Sequence, residues 1–146
     1  MNMDKNRRFH LLLKYIFLFW FGGSFYVTLE VLFRQRSHLA MLILAGLVFI
    51  AIGLLNEFWT WETGFLQQVA IGTAIATVGE FITGCIVNLW LGLNVWSYED
   101  LPLNFMGQVC PQFILLWIPI VAFAIIVDDI IRWKFFDEEQ PHYYWW

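Results

Sequence analysis

The chain has 146 residues, of which 60% are hydrophobic and only 14% are charged. A water-soluble domain of this length would need more polar surface than these residues supply, because a small fold leaves much of its chain exposed. The composition therefore excludes a soluble domain and predicts an integral membrane protein. The net charge of −4 arises largely in the C-terminal tail, and nothing in its distribution indicates a nucleic-acid partner.

Four long apolar runs follow one another along the chain, and a helix needs roughly 20 residues to cross a bilayer. The sequence predicts an all-α membrane protein: a bundle of about four transmembrane helices with a partly buried loop or short helix between the third and the fourth. We expect a single domain at 1–136, with spans near residues 9–32, 39–55, 65–91 and 112–131, followed by an acidic and aromatic tail at 137–146.

The basic residues predict an orientation. With four spans, Arg34 and Arg36 fall on one side of the membrane. The side of the two termini carries Lys5, Arg7, Arg8, Lys14, Arg132 and Lys134. Since cytoplasmic segments carry the excess of basic residues, we expect both termini in the cytoplasm and the protein in the plasma membrane.

The third span is the most polar one, and Glu80 lies near its middle. A carboxylate there costs at least about 2.5–3.5 kcal/mol on insertion scales. Helical steps of three or four place it on one polar, small-residue face with Thr73, Thr77, Gly84 and Asn88, and Thr83 flanks that face. Such a face packs on another helix or lines a hydrated path. Two interpretations stay open: Glu80 holds the bundle together, or it serves as a proton or cation site or as a contact to substrate.

Helix one offers a second carboxylate, Glu30, on a face shared with Tyr26. Two carboxylates in one cavity would raise one pKa and suit a proton relay. Alternatively, Glu30 is an interfacial residue that pairs with Arg34 at i+4. The depth of Glu30 in the membrane distinguishes these two interpretations. Glu30 falls near the end of its helix, whereas Glu80 falls near the middle of its span, so contact between them is not assured.

The loop between the third and fourth spans is too apolar for an ordinary exposed connection. It interleaves aromatic and polar residues, and we expect contacts from Trp96, Tyr98, Asn104 and Gln108. Irregular backbone near a membrane is tolerated where it is buried in protein or lines a cavity. The loop therefore either covers the mouth of the bundle or simply packs there; a short helix after Pro102 would place Asn104 and Gln108 on one face.

The sequence gives little support for a metal site, a cofactor or an enzymatic activity. We expect no metal site and no cofactor, because the three His are dispersed and Cys85 and Cys110 lack metal-type spacing. No P-loop or HExxH motif occurs, and we expect no enzyme. Asp128 and Asp129 are interpreted as ordinary charges at a helix end, with Asp128 pairing with Arg132 at i+4.

The chain contains the segments Glu80-Phe-Ile-Thr-Gly84, Val95-Trp-Ser-Tyr98, Pro102-Leu-Asn104 and Gly107-Gln-Val-Cys110, together with Trp117. Taken together, these motifs resemble the type IV ABC-transporter permease family, the CmpB-like small membrane proteins. The resemblance covers roughly residues 22–133, and Ser97 replaces the acidic residue that the family usually has there. It implies a permease role and a separate ATPase subunit, and it draws attention to Glu80 and the loop.

We therefore expect a small polytopic transporter- or channel-type permease, or a permease subunit, with a polar path at Glu80. Because four helices make a thin wall, it would work as a homo-oligomer or with a membrane partner subunit. A non-transporting scaffold protein that binds a partner's helices is the alternative. A lipid-active intramembrane enzyme is the third possibility.

Overall fold

A computed structural model describes residues 2–59 and 63–145, with side chains for 5–57 and 63–145. The helices are α1 (Asn2–Arg34), α2 (Leu39–Trp59), α3 (Phe65–Gly84) and α4 (Pro111–Phe136), and a π-helical segment, Cys85–Trp90, continues α3. All four helices are long and apolar enough to cross a membrane, and the described residues contain no strand. The predicted all-α membrane fold is confirmed.

The helices run antiparallel and define two ends of the bundle. At one end, here the tail end, the start of α1 meets the finish of α4: the rings of Phe17 and Phe136 lie 6.0 Å apart. At the other, the loop end, residues 91–110 connect the π-helical segment to α4; this segment is called the connecting loop. Both described termini therefore lie at the tail end.

The core forms where α2, α3 and α4 meet. Ile52, Val121 and Ile125 are almost completely buried there. A side chain at Gly72 would collide with Val121, and one at Gly79 would meet Leu44. The small-residue face of α3 therefore packs inside the bundle, against the chain's own helices. It is not available to a partner's helix in this conformation.

The outer surface is apolar on every helix. In α1, only 17% of the most apolar window is buried, and side chains as large as Trp20 and Phe25 are exposed. Exposure of such a large apolar surface to water is unfavourable, whereas lipid tails are as apolar as these side chains. The bundle is thus built to be surrounded by hydrocarbon.

The tail folds back onto the start of α3. The backbone N–H of Phe65 donates to the carbonyl of Tyr144 over 2.6 Å, and the Phe65 ring packs against the Tyr143 ring at 5.1 Å. The first N–H groups of a helix have no partner within it, so the tail supplies an acceptor that α3 lacks. Trp146 lies outside the described residues.

Candidate functional site

Glu80 sits at the centre of the loop end and is only 2% exposed. The Tyr98 hydroxyl donates to its Oε1 over 2.8 Å, and the Trp117 indole N–H donates to its Oε2 over 2.9 Å. Both oxygens of the carboxylate are therefore occupied, one from the connecting loop and one from α4. These three residues are called the Glu80 cluster.

Aromatic stacking fixes the two donors. The Trp117 ring lies on Tyr26 of α1 at 5.5 Å between centroids, and the Tyr98 ring lies on Phe113 of α4 at 4.4 Å. Burial, reinforced by the neighbouring Glu80 charge, raises the pKa of Tyr98. The phenol thus keeps its proton and remains a donor to Glu80.

A second set of hydrogen bonds fixes the connecting loop to the π-helical segment. Asn88 donates from Nδ2 to Oε1 of Gln108 over 2.8 Å and accepts from the Val95 N–H at 2.7 Å. The Trp96 indole donates to the Gln108 carbonyl. The π-helical turn rotates Asn88 into this position, and such turns recur at functional sites.

The rest of the loop is a tight turn rather than the short helix considered after Pro102. Asn104 accepts from the Gly107 N–H at 2.9 Å and donates to the Leu101 carbonyl. Phe105 and Val109 form an isolated antiparallel bridge. Leu103 and Met106 have positive φ angles, a conformation that persists only where surrounding contacts impose it. Asn104 and Gln108 consequently serve different contacts and share no helical face.

Glu30 and Thr77, which the sequence also predicted as site residues, form their hydrogen bonds away from Glu80. Glu30 pairs with Arg34 at 3.3 Å and accepts from the Ser37 hydroxyl at 2.6 Å. Thr77 donates to the carbonyl of Thr73 in its own helix, and Thr83 is half-buried. The predicted i,i+4 pairing of Glu30 with Arg34 is observed.

The structure brings together a further polar group at the tail end. Arg132 bonds Asp128 at 2.5 Å and also contacts Glu57, and Lys14 reaches Glu57 at 2.8 Å. Glu138 pairs with both cations. These five residues, with Asp129, Asn56 and Tyr143, are called the ion network.

The interpretation of Asp128 and Asp129 as ordinary helix-end charges was therefore wrong. The Asp128–Arg132 pair exists, but Asp128 is 0% exposed and Arg132 is 3% exposed. Asp129 accepts from Asn56 at 2.9 Å and from the Tyr143 hydroxyl at 2.7 Å. The signal in the sequence was two adjacent carboxylates directly after the apolar run 113–127. Since α4 continues to Phe136, both Asp residues lie inside the helix and not at its end.

Comparison with known proteins supplies the family. The family described as "Putative ABC-transporter type IV" matches residues 10–144, a range that includes most of α1, the other three helices, the Glu80 cluster and the ion network. No curated protein and no solved structure matches the chain. The chain is thus a multi-pass membrane protein that belongs to the type IV ABC-transporter-related (CmpB-like) family.

Proposed function

We propose that this protein is a permease-type membrane subunit of a transport system, and that Glu80 is its intramembrane proton or cation site. The observation that carries the proposal is that the two oxygens of Glu80 accept hydrogen bonds from two different elements, an arrangement here called divided coordination. One oxygen depends on the connecting loop through Tyr98, and the other depends on α4 through Trp117.

Divided coordination couples the loop to the carboxylate. If the loop lifts from the bundle, Oε1 loses the Tyr98 donor while Oε2 keeps Trp117. A buried carboxylate oxygen without a donor is costly, so it takes up a proton or a cation. In the described conformation the site is closed. Glu80 does not line the apolar crevice to which all four helices contribute. It also does not line the polar cavity beside Asp129 at the tail end or the one beside Glu30 at the loop end.

The family supports the transport class, since its description refers to ABC transporters. Transport in that class is driven by ATP, so we propose a separate ATPase subunit as a partner. A pathway through so thin a bundle would also involve a second copy or another membrane subunit, consistent with the apolar outer face of α1. We place both termini in the cytoplasm on the count of basic residues.

The test is a flux assay with the purified chain in liposomes. Proton and potassium movement is followed with a pH-sensitive dye and a potassium-sensitive dye, for wild type, Glu80→Gln and the matched control Asp100→Asn in the exposed part of the loop. Without the ATPase subunit we expect only downhill ion flux, above that of protein-free liposomes in wild type and Asp100→Asn, and its loss in Glu80→Gln. Equal flux in all three and in protein-free liposomes would refute the Glu80 assignment.

One observation favours a scaffold role instead. Both oxygens of Glu80 are satisfied within the chain, as a purely structural carboxylate would be. In that case flux would stay at the level of protein-free liposomes in the wild type and in both variants. A membrane partner would co-purify with the wild type. Because α3 buries its small residues internally, such a partner would bind the exposed face of α1.

A further inference from the structure

The polar cavity beside Glu30 has a volume of about 210 Å³. Its wall combines the end of α1, the turn before α2 and the start of the connecting loop, and it includes Arg34, Arg36 and His38. Glu30 is the only carboxylate among its described lining residues. That carboxylate already accepts hydrogen bonds from Arg34 at 3.3 Å and from the Ser37 hydroxyl at 2.6 Å. Because Arg34 balances Glu30, the charge of Arg36 leaves this cavity with an excess of positive charge.

The two arginines of the cavity are suited to a phosphate group. A guanidinium presents its N–H donors in a planar fork that matches the oxygens of a phosphate. Arg34 is the last residue of α1, and Arg36 follows in the exposed turn. Lipid headgroups lie at the ends of membrane-spanning helices, and basic pockets between such helices bind acidic headgroups. The cavity therefore has the charge and the position of a headgroup site.

The apolar crevice of the bundle begins next to this cavity on both α1 and α2. On α1, Tyr26 lines the crevice and Glu30 lines the cavity, and residues four positions apart lie on the same helix face. At the start of α2, His38 lines the cavity and Met41 lines the crevice. The Met41 N–H donates to the His38 carbonyl over 2.9 Å. A molecule with a charged head and an apolar chain can therefore occupy both spaces at once.

The crevice is apolar and narrow. Small residues such as Ala45 and Ala124 form part of its wall, and it encloses about 50 Å³. Since one water-sized group needs about 10–15 Å³ on the same measure, the crevice accommodates a short run of methylene groups from one hydrocarbon chain. Two of its lining residues, Phe25 and Phe123, are also exposed on the outer surface, with their rings stacked at 5.6 Å. The crevice thus adjoins the surrounding hydrocarbon.

We propose that the cavity and the crevice together bind one anionic phospholipid, a phosphodiester lipid without a positive charge on its headgroup. The phosphate accepts hydrogen bonds from Arg34 and Arg36, and one acyl chain enters the crevice between Tyr26 and Met41. A zwitterionic lipid is a poorer occupant, because its ammonium would lie near Arg36 while Glu30 is already paired. The carboxylate of a fatty acid would leave much of the 210 Å³ cavity unfilled.

This lipid site is separate from Glu80, and the inference does not rest on the proposed transport role. Glu80 lines neither the cavity nor the crevice. Trp117, which donates to Glu80, does line the crevice. A bound acyl chain would therefore contact one donor of the Glu80 cluster without touching the carboxylate.

Native mass spectrometry of the full chain, released from detergent micelles, tests the proposal. The probes are phosphatidylglycerol, phosphatidylcholine and diacylglycerol with identical acyl chains, and glycerophosphoglycerol, which has the headgroup without the chains. We expect one phosphatidylglycerol per chain, bound at least about tenfold more tightly than each other probe, or about 1.4 kcal/mol. Equal binding of phosphatidylcholine or diacylglycerol overturns the selection by charge. Equal binding of glycerophosphoglycerol overturns the lipid assignment, because a free phosphate ester would then suffice.

Two substitutions with matched controls locate the lipid. Arg36→Gln removes the excess charge and should weaken phosphatidylglycerol binding at least about tenfold, whereas Arg7→Gln, in the exposed start of α1 at the tail end, should leave it unchanged. Ala124→Leu fills the crevice and should also weaken binding, whereas Ala74→Leu on the exposed face of α3 should not. If Ala124→Leu does not fold, Ala45→Leu on α2 fills the same crevice. Wild-type binding in folded Arg36→Gln or in a folded crevice variant overturns the proposal.

Discussion

Glu80 and Tyr98 lie 18 positions apart in the chain and are joined by a 2.8 Å hydrogen bond from the phenol to Oε1. This bond connects the connecting loop to the only carboxylate that the described part of α3 contains. The loop is therefore only partly buried: Trp96 and Tyr98 pack inside the protein, whereas Leu103, Phe105 and Met106 stay exposed.

The first prediction concerns the stability of the Glu80 cluster. Tyr98→Phe and Trp117→Phe each remove one donor to a buried carboxylate, and we expect each to cost about 1.5–3 kcal/mol. Thermal unfolding in detergent measures the effect, and Tyr144→Phe on the exposed tail is the control. Because the two donors bind the same carboxylate, the double variant should depart from additivity. Strict additivity would contradict a shared partner.

The second prediction separates helix propensity from packing at Gly53. Propensity alone would make Gly53→Ala stabilising by up to about 1 kcal/mol in a helix interior. The structure predicts the opposite sign, because the new Cβ would collide with Asp128 and Arg132, and overpacking costs about 1–3 kcal/mol. Gly79→Ala, which meets only the flexible side-chain ends of Leu44 and Val48, is the control. A stabilised Gly53→Ala variant would show that the ion pair is not packed on this glycine.

The third prediction concerns alkaline pH. Burial and the Glu80 charge raise the pKa of Tyr98, and burial with the Asp129 hydrogen bond raises the pKa of Tyr143. The unfolded chain loses its tyrosine protons near pH 10, before the folded protein does. The stabilisation from these two phenols is therefore complete below about pH 10 and is lost as the pH rises further. The melting temperature should fall above that pH, and less steeply in Tyr98→Phe; an equal slope in both proteins would contradict the shift.

The fourth prediction concerns the tail. Deleting residues 138–146 removes the carbonyl of Tyr144 that accepts from the Phe65 N–H, together with Glu138 and Tyr143. We expect faster hydrogen exchange at the Phe65 and Leu66 amides and a lower melting temperature. Tyr144→Phe keeps the backbone carbonyl and should leave that exchange unchanged. Unaltered exchange after the deletion would mean that α3 does not depend on the tail.

The sequence predicted the fold more completely than the site. Long apolar runs and the polar stripe on α3 depend on local periodicity, so the four spans and the position of Glu80 on a polar helix face followed from them. The partners of Glu80 could not be predicted, since Tyr98 and Trp117 reach it only through tertiary packing. The ion network was missed for a similar reason: Lys14, Glu57 and Asp128 come from three helices, and each alone resembles an ordinary interfacial charge.

The most direct test follows loop opening and flux in the same three proteins: wild type, Tyr98→Phe and Glu80→Gln. Hydrogen exchange of residues 96–109 reports the loop, and proton flux in liposomes reports the site. We expect both variants to show faster exchange, with flux raised in Tyr98→Phe and abolished in Glu80→Gln. Faster exchange in Tyr98→Phe without any change in flux would contradict the coupling between the connecting loop and Glu80.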